Sequence, residues 1–357
     1  MRASFLFLAL VIGLASHAQL GGQQVFRVLD IPASARASSL GGNYIAVKDN
    51  DINLGLFNPA LLNAEMGRQV SLSYLPYFEG INVGYVSYAQ HFDSLRTTFS
   101  GMLRYVDYGS FDRTDETGTE LGQFRAGEYA FQIGAGRAID SLFSIGANVK
   151  VVTSNLDTYT STGFALDLGG TYHKPSKGLT ISALVRGVGY QTSAFTAERE
   201  DMPFQVMAGI TYKFKHAPFR LGLMLENLQR WDLTYPDDER DAQIDPTTGE
   251  VVVKKTTNAQ KALLHAVPSA EIMLSKNFMI RLGYNFRTRY EMVLANRPGA
   301  VGLSFGLGLR VSKVHISYGF SQLHLAGIRN TITLAVRFSD FKKKEASAPV
   351  TPHAPAP

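Results

Sequence analysis

The sequence predicts an all-β protein: a transmembrane antiparallel β-barrel of about fourteen strands with a small N-terminal plug. Three observations carry that expectation. Segments of about ten residues alternate between apolar and polar side chains along most of the chain, as strands must when one face meets lipid and the other a lumen. The apolar faces often end in Tyr or Phe, at Tyr74, Tyr88, Tyr105, Tyr172, Tyr212, Tyr284 and Phe338, which suits two interfacial girdles. The connections alternate short and long, the sorting expected when periplasmic turns are short and outer loops longer.

Residues 1–18 read as a secretory signal. Arg2 precedes an apolar run from Phe5 to Leu14, and Ser16-His17-Ala18 places small residues at a cleavage point. That run is short for a helical span, and no later run reaches the length of about 18 apolar residues that one needs. Residues 19–67 hold Ser34-Ala35-Arg36-Ala37-Ser38-Ser39-Leu40-Gly41-Gly42 and the turn-rich Asn53 to Asn63, without long alternation. This segment is too short for a separate domain and too apolar for a linker, so it is expected as a plug, with Asn58, Pro59 and Ala60 as its motif.

The barrel is expected over residues 68–338. Its clearest strand sets Val301, Leu303, Phe305, Leu307, Leu309 and Val311 on one face and Gly302, Ser304, Gly306, Gly308 and Arg310 on the other. Phe278 to Phe286 and Ile332 to Phe338 alternate in the same way. Expected strands lie near 68–76, 81–91, 96–107, 124–138, 142–154, 162–173, 179–189, 203–214, 218–229, 265–275, 277–287, 299–311, 313–321 and 329–338. Segments of about 9 to 11 residues fit a tilted membrane crossing, whereas soluble strands run nearer 5 or 6. The long connections are then 107–124, 154–162, 190–203, 230–265, 288–298 and 321–329. An even strand number leaves both ends in the periplasm. Residues 339–357, with Lys342-Lys343-Lys344 followed by Ala, Pro, Ser and Thr, read as a flexible periplasmic tail.

Composition narrows the function. Of 357 residues 18% are charged, against 33 Gly, 22 Phe and 16 Tyr, and a helix-rich soluble enzyme would carry more Glu, Lys and Ala. The net charge of +5 is scattered, which leaves no basic stripe for nucleic acid. The absence of Cys rules out disulfides, thiolate chemistry and a lipidated Cys anchor. Gly302-Leu303-Ser304-Phe305-Gly306 matches a nucleophile-elbow pattern by letters, but Ser304 falls inside a strand where an elbow needs a strand-to-helix turn. The acids Asp237-Asp238-Glu239 resemble a calcium loop only in part, since Ala242 and Thr248 stand where Gly and Glu belong. The histidines lack metal-ligand spacing. No catalytic residue, metal or cofactor is therefore expected. Inward-facing Arg281, Arg287, Arg310, Arg337, Glu226 and Asp167 read first as lumen charges that need partners; an anionic head-group site is the sharper alternative. The loop 230–265 holds the only tryptophan, Trp231, with Tyr235, Asp237 and Asp238. Trp231 is read either as a partner anchor or as a girdle residue.

Beyond pattern, Phe26-Arg27-Val28-Leu29-Asp30-Ile31-Pro32-Ala33-Ser34-Ala35-Arg36, Leu40-Gly41-Gly42-Asn43, Asn58-Pro59-Ala60-Leu61-Leu62, Ser73-Tyr74-Leu75-Pro76-Tyr77, Val106-Asp107-Tyr108-Gly109-Ser110-Phe111, His216-Ala217-Pro218-Phe219-Arg220 and Asn227-Leu228-Gln229-Arg230-Trp231-Asp232 resemble the PorQ family of outer-membrane proteins in the type IX secretion system. The resemblance spans most of the chain after residue 18. It implies a non-enzymatic scaffold of the attachment complex that holds a PorZ-like protein at the cell surface. PorU and PorV would be further partners there, and cargo would be joined to lipopolysaccharide. Asn58-Pro59-Ala60 is less specific and also resembles the plug motif of the FadL family of long-chain fatty-acid channels, which implies a fourteen-stranded barrel with a plug. The expected role is a surface scaffold contacting outer-membrane lipid; the alternative is a FadL-like channel for a hydrophobic substrate.

Overall fold

The computed structural model describes residues 24–77, 80–234, 242–244, 251–253, 256–293, 299–324 and 327–341. The expected signal 1–18, most of the tail, and Tyr235, Asp237 and Asp238 lie outside the described residues.

Among the described residues sixteen strands follow in chain order: β1 (Gln69–Pro76), β2 (Asn82–Phe92), β3 (Thr97–Thr114), β4 (Glu120–Ala138), β5 (Phe143–Leu156), β6 (Tyr159–Lys174), β7 (Leu179–Ser193), β8 (Gln205–Lys213), β9 (Phe219–Leu225), β10 (Ala242–Ile244), β11 (Val251–Val253), β12 (Ala266–Met273), β13 (Phe278–Tyr284), β14 (Leu303–Val311), β15 (Val314–His324) and β16 (Gly327–Arg337). Four α-helices accompany them: α1 (Ala35–Ser39), α2 (Ile52–Phe57), α3 (Asn258–Leu264) and α4 (Phe286–Met292). Strands β10 and β11 pair with each other alone; the other fourteen pair antiparallel with their neighbours, and β1 closes onto β16. Closure leaves no strand edge, the condition for a sheet in lipid.

The alternation sorts inside from outside as the period of two demands. In β16, Ile332 and Leu334 are exposed while Thr331 and Thr333 are buried. In β14, Leu303 and Leu309 face out and Ser304 is buried. Tyr74, Tyr88, Tyr105 and Tyr212 are exposed on the outer wall, and the Tyr105 and Tyr129 rings stack at 4.8 Å. Among the described residues no helix is long and apolar enough to cross a membrane.

Several boundaries depart from expectation. Two expected long connections are mostly strand. β3 and β4 continue to Thr114 and Glu120, held there by the stacked Phe111 and Phe124 rings at 5.5 Å, and the turn between them is closed by Asp115, which accepts from the Thr117 and Thr119 amides. β5 and β6 meet at Leu156 and Tyr159. The wall is therefore tallest at β3 and β4, of 18 and 19 residues. The strand expected to reach 287 stops at Tyr284, because the Asn285 side chain accepts from the Thr288 amide and caps α4. Gly302, at φ 88°, resets the parity before β14, so Val301 is buried at 1% exposure rather than outward. The expected loop 230–265 contains β10, β11 and α3; Thr257 and Gln260 form a capping box at the start of α3.

Candidate functional site: the plugged lumen

Residues 24–67 lie inside the barrel as short helices and turns. Each helix begins where a small polar side chain takes up a free amide: Ser34 caps α1 through the Ala37 amide, and Asp51 caps α2 through the Asn53 amide. α1 is built of Ala, Arg and Ser. Its small residues let the backbone come against the wall, where Ala35 N donates to Thr333 (2.8 Å), Ser321 donates to Ser38 O (2.7 Å), and the Ser38 and Thr331 hydroxyls meet at 3.0 Å.

Asn58, Pro59 and Ala60 form the second seat. Asn58 Oδ1 accepts from the Ala60 amide (3.1 Å) and its Nδ2 donates to Ile45 O (2.8 Å). Pro59 opens the short 3-10 turn Pro59–Leu61, a position where no amide is missed. Ser144 donates to Ala60 O (2.7 Å), while Gln132 and Asn148 donate to Leu56 O at 2.7 and 3.0 Å. Gly146 on β5 and Gly169 on β6 face this turn so closely that any Cβ would overlap Pro59 or Asn58. On the opposite wall Gly283, Gly306 and Gly319 take the same role beneath Leu40, Ser39 and Ala35. Of the inward glycines around Ser304, Gly306 thus accommodates α1, while Gly308 leaves room for the Arg281 guanidinium; Ser304 itself sits in β14 with its hydroxyl donating to Ser321 (3.2 Å).

Charge ties plug to wall. Glu271 on β12 has direct cross-strand neighbours Arg220 on β9 and Arg281 on β13. Its fully buried carboxylate accepts from Arg36 of α1 in bidentate fashion (2.9 and 3.0 Å), from Arg220 (2.5 Å) and from Arg281 (3.2 Å). Arg36 also reaches Asp49 (2.8 Å) and Asp51 (3.2 Å), and Arg220 approaches Asp49 (3.5 Å). Three guanidinium groups meet three carboxylates, which is the arrangement that lets buried charge persist. Further along the lumen Lys150 pairs with Asp167, and Asp167 accepts from the Gly187 amide (3.0 Å). Arg186 donates to Leu29 O (2.5 Å) and covers the Phe57 ring at 4.3 Å. Arg104 bonds Val28 O and lies 4.8 Å from the Tyr85 ring.

Among these polar contacts, one band of the β1–β6 wall meets the plug through apolar side chains. Leu75, Val83, Ala89, Met102, Val106, Ala130, Val152 and Ala165 pack on Phe26, Val28, Leu29, Leu56 and Leu62. The cavity left there, beside Leu29, Phe57 and Arg186, is about 10 Å³.

Of the expected lumen charges, Arg281 and Asp167 sit in these clusters, and Glu226 is buried just past β9. Arg310 and Arg337 instead pair with Asp340 at the barrel's end. Arg287 is corrected from wall to helix: it lies on α4 and pairs with Glu291 (2.6 Å). Sequence reasoning missed Arg36, Glu271, Arg220 and Lys150, although the parity that turns Arg281 inward also turns Glu271 inward. Trp231 is 59% exposed, its ring stacked on His265 at 6.0 Å. It stands well away from the plug motif, so the two sets of candidate residues form no common site. Among the described residues no three His, Cys, Asp or Glu side chains are grouped to hold a metal ion.

No protein-family model matches the chain, and no curated protein matches it. Solved structures do. The TodX monoaromatic hydrocarbon channel, as a deltaS2 mutant, is 14% identical with a TM-score of 0.51, covering 86% of this chain and 98% of its own. The Pseudomonas putida toluene transporter TodX is 13% identical with a TM-score of 0.50, covering 85% and 96%. A Pseudomonas aeruginosa FadL homologue aligns at 10% identity with a TM-score of 0.45, over 87% and 98%. At these identities the likeness to TodX is one of fold alone, a closed fourteen-stranded barrel.

Proposed function

We propose that this chain is a non-enzymatic outer-membrane channel that admits a hydrophobic substrate past its N-terminal plug. The observation that carries the reading is the apolar band that β1–β6 present to the plug among the polar side chains of the lumen. An aqueous pore has a polar interior throughout, whereas here Val83, Met102, Val106, Val152 and their neighbours interrupt the polar wall with a continuous apolar band. A water-filled lumen would wet that band at a cost of about 25 cal/mol per Å² of apolar surface; a hydrophobic passenger would not. The plug is joined to the wall chiefly by side-chain contacts, apart from the lone Gln24–Asp201 bridge, so it can shift without breaking the strand ladder. The fold shared with a hydrocarbon channel supports the same reading.

A second reading keeps the plug static and makes the barrel a surface scaffold, holding a PorZ-like partner within an attachment complex with PorU and PorV. Two observations favour it: the tightly filled plug–wall interface, and the exposed Trp231 on the connection that also carries β10, β11 and α3.

One experiment separates them. The chain has no Cys, so Ser38→Cys with Thr331→Cys introduces a single pair where the two hydroxyls now meet. In proteoliposomes, oxidation should stop uptake of toluene or oleate and reduction should restore it. Uptake equal in the two states would sink the channel reading; surface retention of a partner unaffected by the lock would favour the scaffold.

A further inference from the structure

At the rim carrying the longer connections, a cavity of about 190 Å³ lies between the plug and the ends of β8, β9 and β13–β16. It is separate from the apolar plug–wall interface and from the charge cluster at Glu271. Four of its lining side chains are more than nine-tenths buried and still carry unpartnered polar atoms: Asn43 Oδ1, Gln205 Oε1, Glu226 Oε1 and Arg329 Nε. The rest of each amide is engaged. Gln205 Nε2 donates to Asn227 (3.1 Å), and the Asn43 side chain hydrogen-bonds Glu226. Buried polar groups are ordinarily satisfied, so three acceptors and one donor converging on a cavity describe a missing set of partners.

Charge and size restrict what those partners are. Among the described residues the lining holds Arg27, Arg287 and Arg329 against Asp30, Glu226 and Glu291, so formal charges nearly cancel whether or not Glu226 is protonated, and neither a cation nor an anion is strongly favoured. Unpartnered oxygens outnumber the donor and would repel a carboxylate or phosphate. A hydroxyl both donates and accepts, and several on one frame satisfy the whole set. The volume falls below the roughly 300–1,000 Å³ of drug-sized sites, which limits the ligand to one ring. We infer that this cavity binds a single neutral polyhydroxylated ring, such as one sugar unit, through Asn43, Gln205, Glu226 and Arg329. Among the described residues no aromatic side chain lines it, and the affinity is assigned to hydrogen bonds. The plug supplies Arg27, Asp30 and Asn43 to the lining, so the site belongs to the seated plug, and binding there is read without any measurement of uptake.

The test uses the full chain purified in a polyoxyethylene detergent, because a glycoside detergent would itself compete. Glucose, galactose, N-acetylglucosamine and myo-inositol are titrated by saturation-transfer NMR and calorimetry. At least one should bind saturably with an affinity near about 1 mM. Asn43→Leu and Gln205→Leu should each weaken it tenfold or more while keeping the heat-modifiable gel mobility of a folded barrel. The milder Glu226→Gln keeps the test decisive if either leucine variant fails to fold, and should weaken binding severalfold. Ethanolamine and octanoate should not compete. Equal affinity for the free methyl glycoside and for the same sugar ending an oligosaccharide identifies a free ligand; tighter binding of the oligosaccharide identifies a glycan terminus. Absence of saturable binding by all four probes, unchanged affinity in the folded variants, or displacement by octanoate overturns the inference.

Discussion

Replacing Glu271 by Gln would test whether charge holds the plug in place. The change preserves shape and leaves Arg36, Arg220 and Arg281 facing only Asp49 and Asp51, three cations against two anions in a site with no solvent at Glu271. Breaking a buried pair by removing one partner costs about 3–5 kcal/mol. Arg36 belongs to the plug and Arg220 and Arg281 to the wall, so that cost falls on the seated state. Once the plug shifts, water can reach the excess cation. At about 1.4 kcal/mol per decade, the ratio of unseated to seated plug should rise roughly a hundredfold or more. Planar-bilayer recordings would read this as opening bursts in Glu271→Gln that the unmodified barrel shows rarely, and amide exchange as lost protection over residues 34–40. The double change Arg36→Met with Glu271→Met removes one charge of each sign and should be milder than the sum of the two single changes. Wild-type conductance and protection in Glu271→Gln would refute the reasoning.

Two further outcomes follow from particular positions. Gly146→Ala should destabilise the seated barrel by about 1–3 kcal/mol through overpacking against the Pro59 backbone, whereas Gly84→Ala, with open space around it, should be near neutral; urea midpoints of heat-modifiable mobility compare them, and equal shifts would contradict the seat. Burial raises the Glu226 carboxyl from its ordinary 4.5 to about 7, against the pull of Arg287, the Asn43 hydrogen bond and Arg186 and with Asp30 adding to the rise. Folding there favours the protonated form, so its stabilisation is complete below pH 4.5 and is lost as pH rises through about 7. Exchange of the Glu226 amide, bonded to His265 O, should quicken across that window after correction for intrinsic rate, and Glu226→Gln should flatten the dependence.

The strands were legible because a two-residue period needs no partner to be seen. Leu303, Phe305 and Leu307 announce their face from the sequence alone. What pairs with what was not legible, because it depends on register. Glu271 gains meaning only when Arg220 and Arg281 are placed beside it on adjacent strands, and Arg36 only when α1 is set within the lumen. α4 was hidden for another reason: Tyr284 and Phe286 continue the alternation in the letters, with their rings 4.9 Å apart, while Asn285 between them ends the strand by capping a helix. The height of β3–β6 was misread because polar, turn-prone residues such as Asp112 and Gln123 look like loop until they are seen hydrogen-bonded across the pair (2.9 Å). Trp231 was read as either anchor or girdle, and its position resting on His265 at the rim is compatible with both.

The bond between Ser38 and Thr331 joins residues 293 positions apart. Ala35 and Thr333 are as distant in sequence, and the closing strand pair β1–β16 spans the whole barrel. α1 therefore finds its part of the wall only when β15 and β16, made much later, arrive. Contacts of such long sequence separation form slowly, and a closed wall offers no side entrance for a folded insert. Assembly should accordingly gather the sheet around the inner segment, with the final seam sealing after that segment is in place. A chain that lost its inner segment would lose a template as well as a stopper, and its defect would appear first as slow or failed insertion.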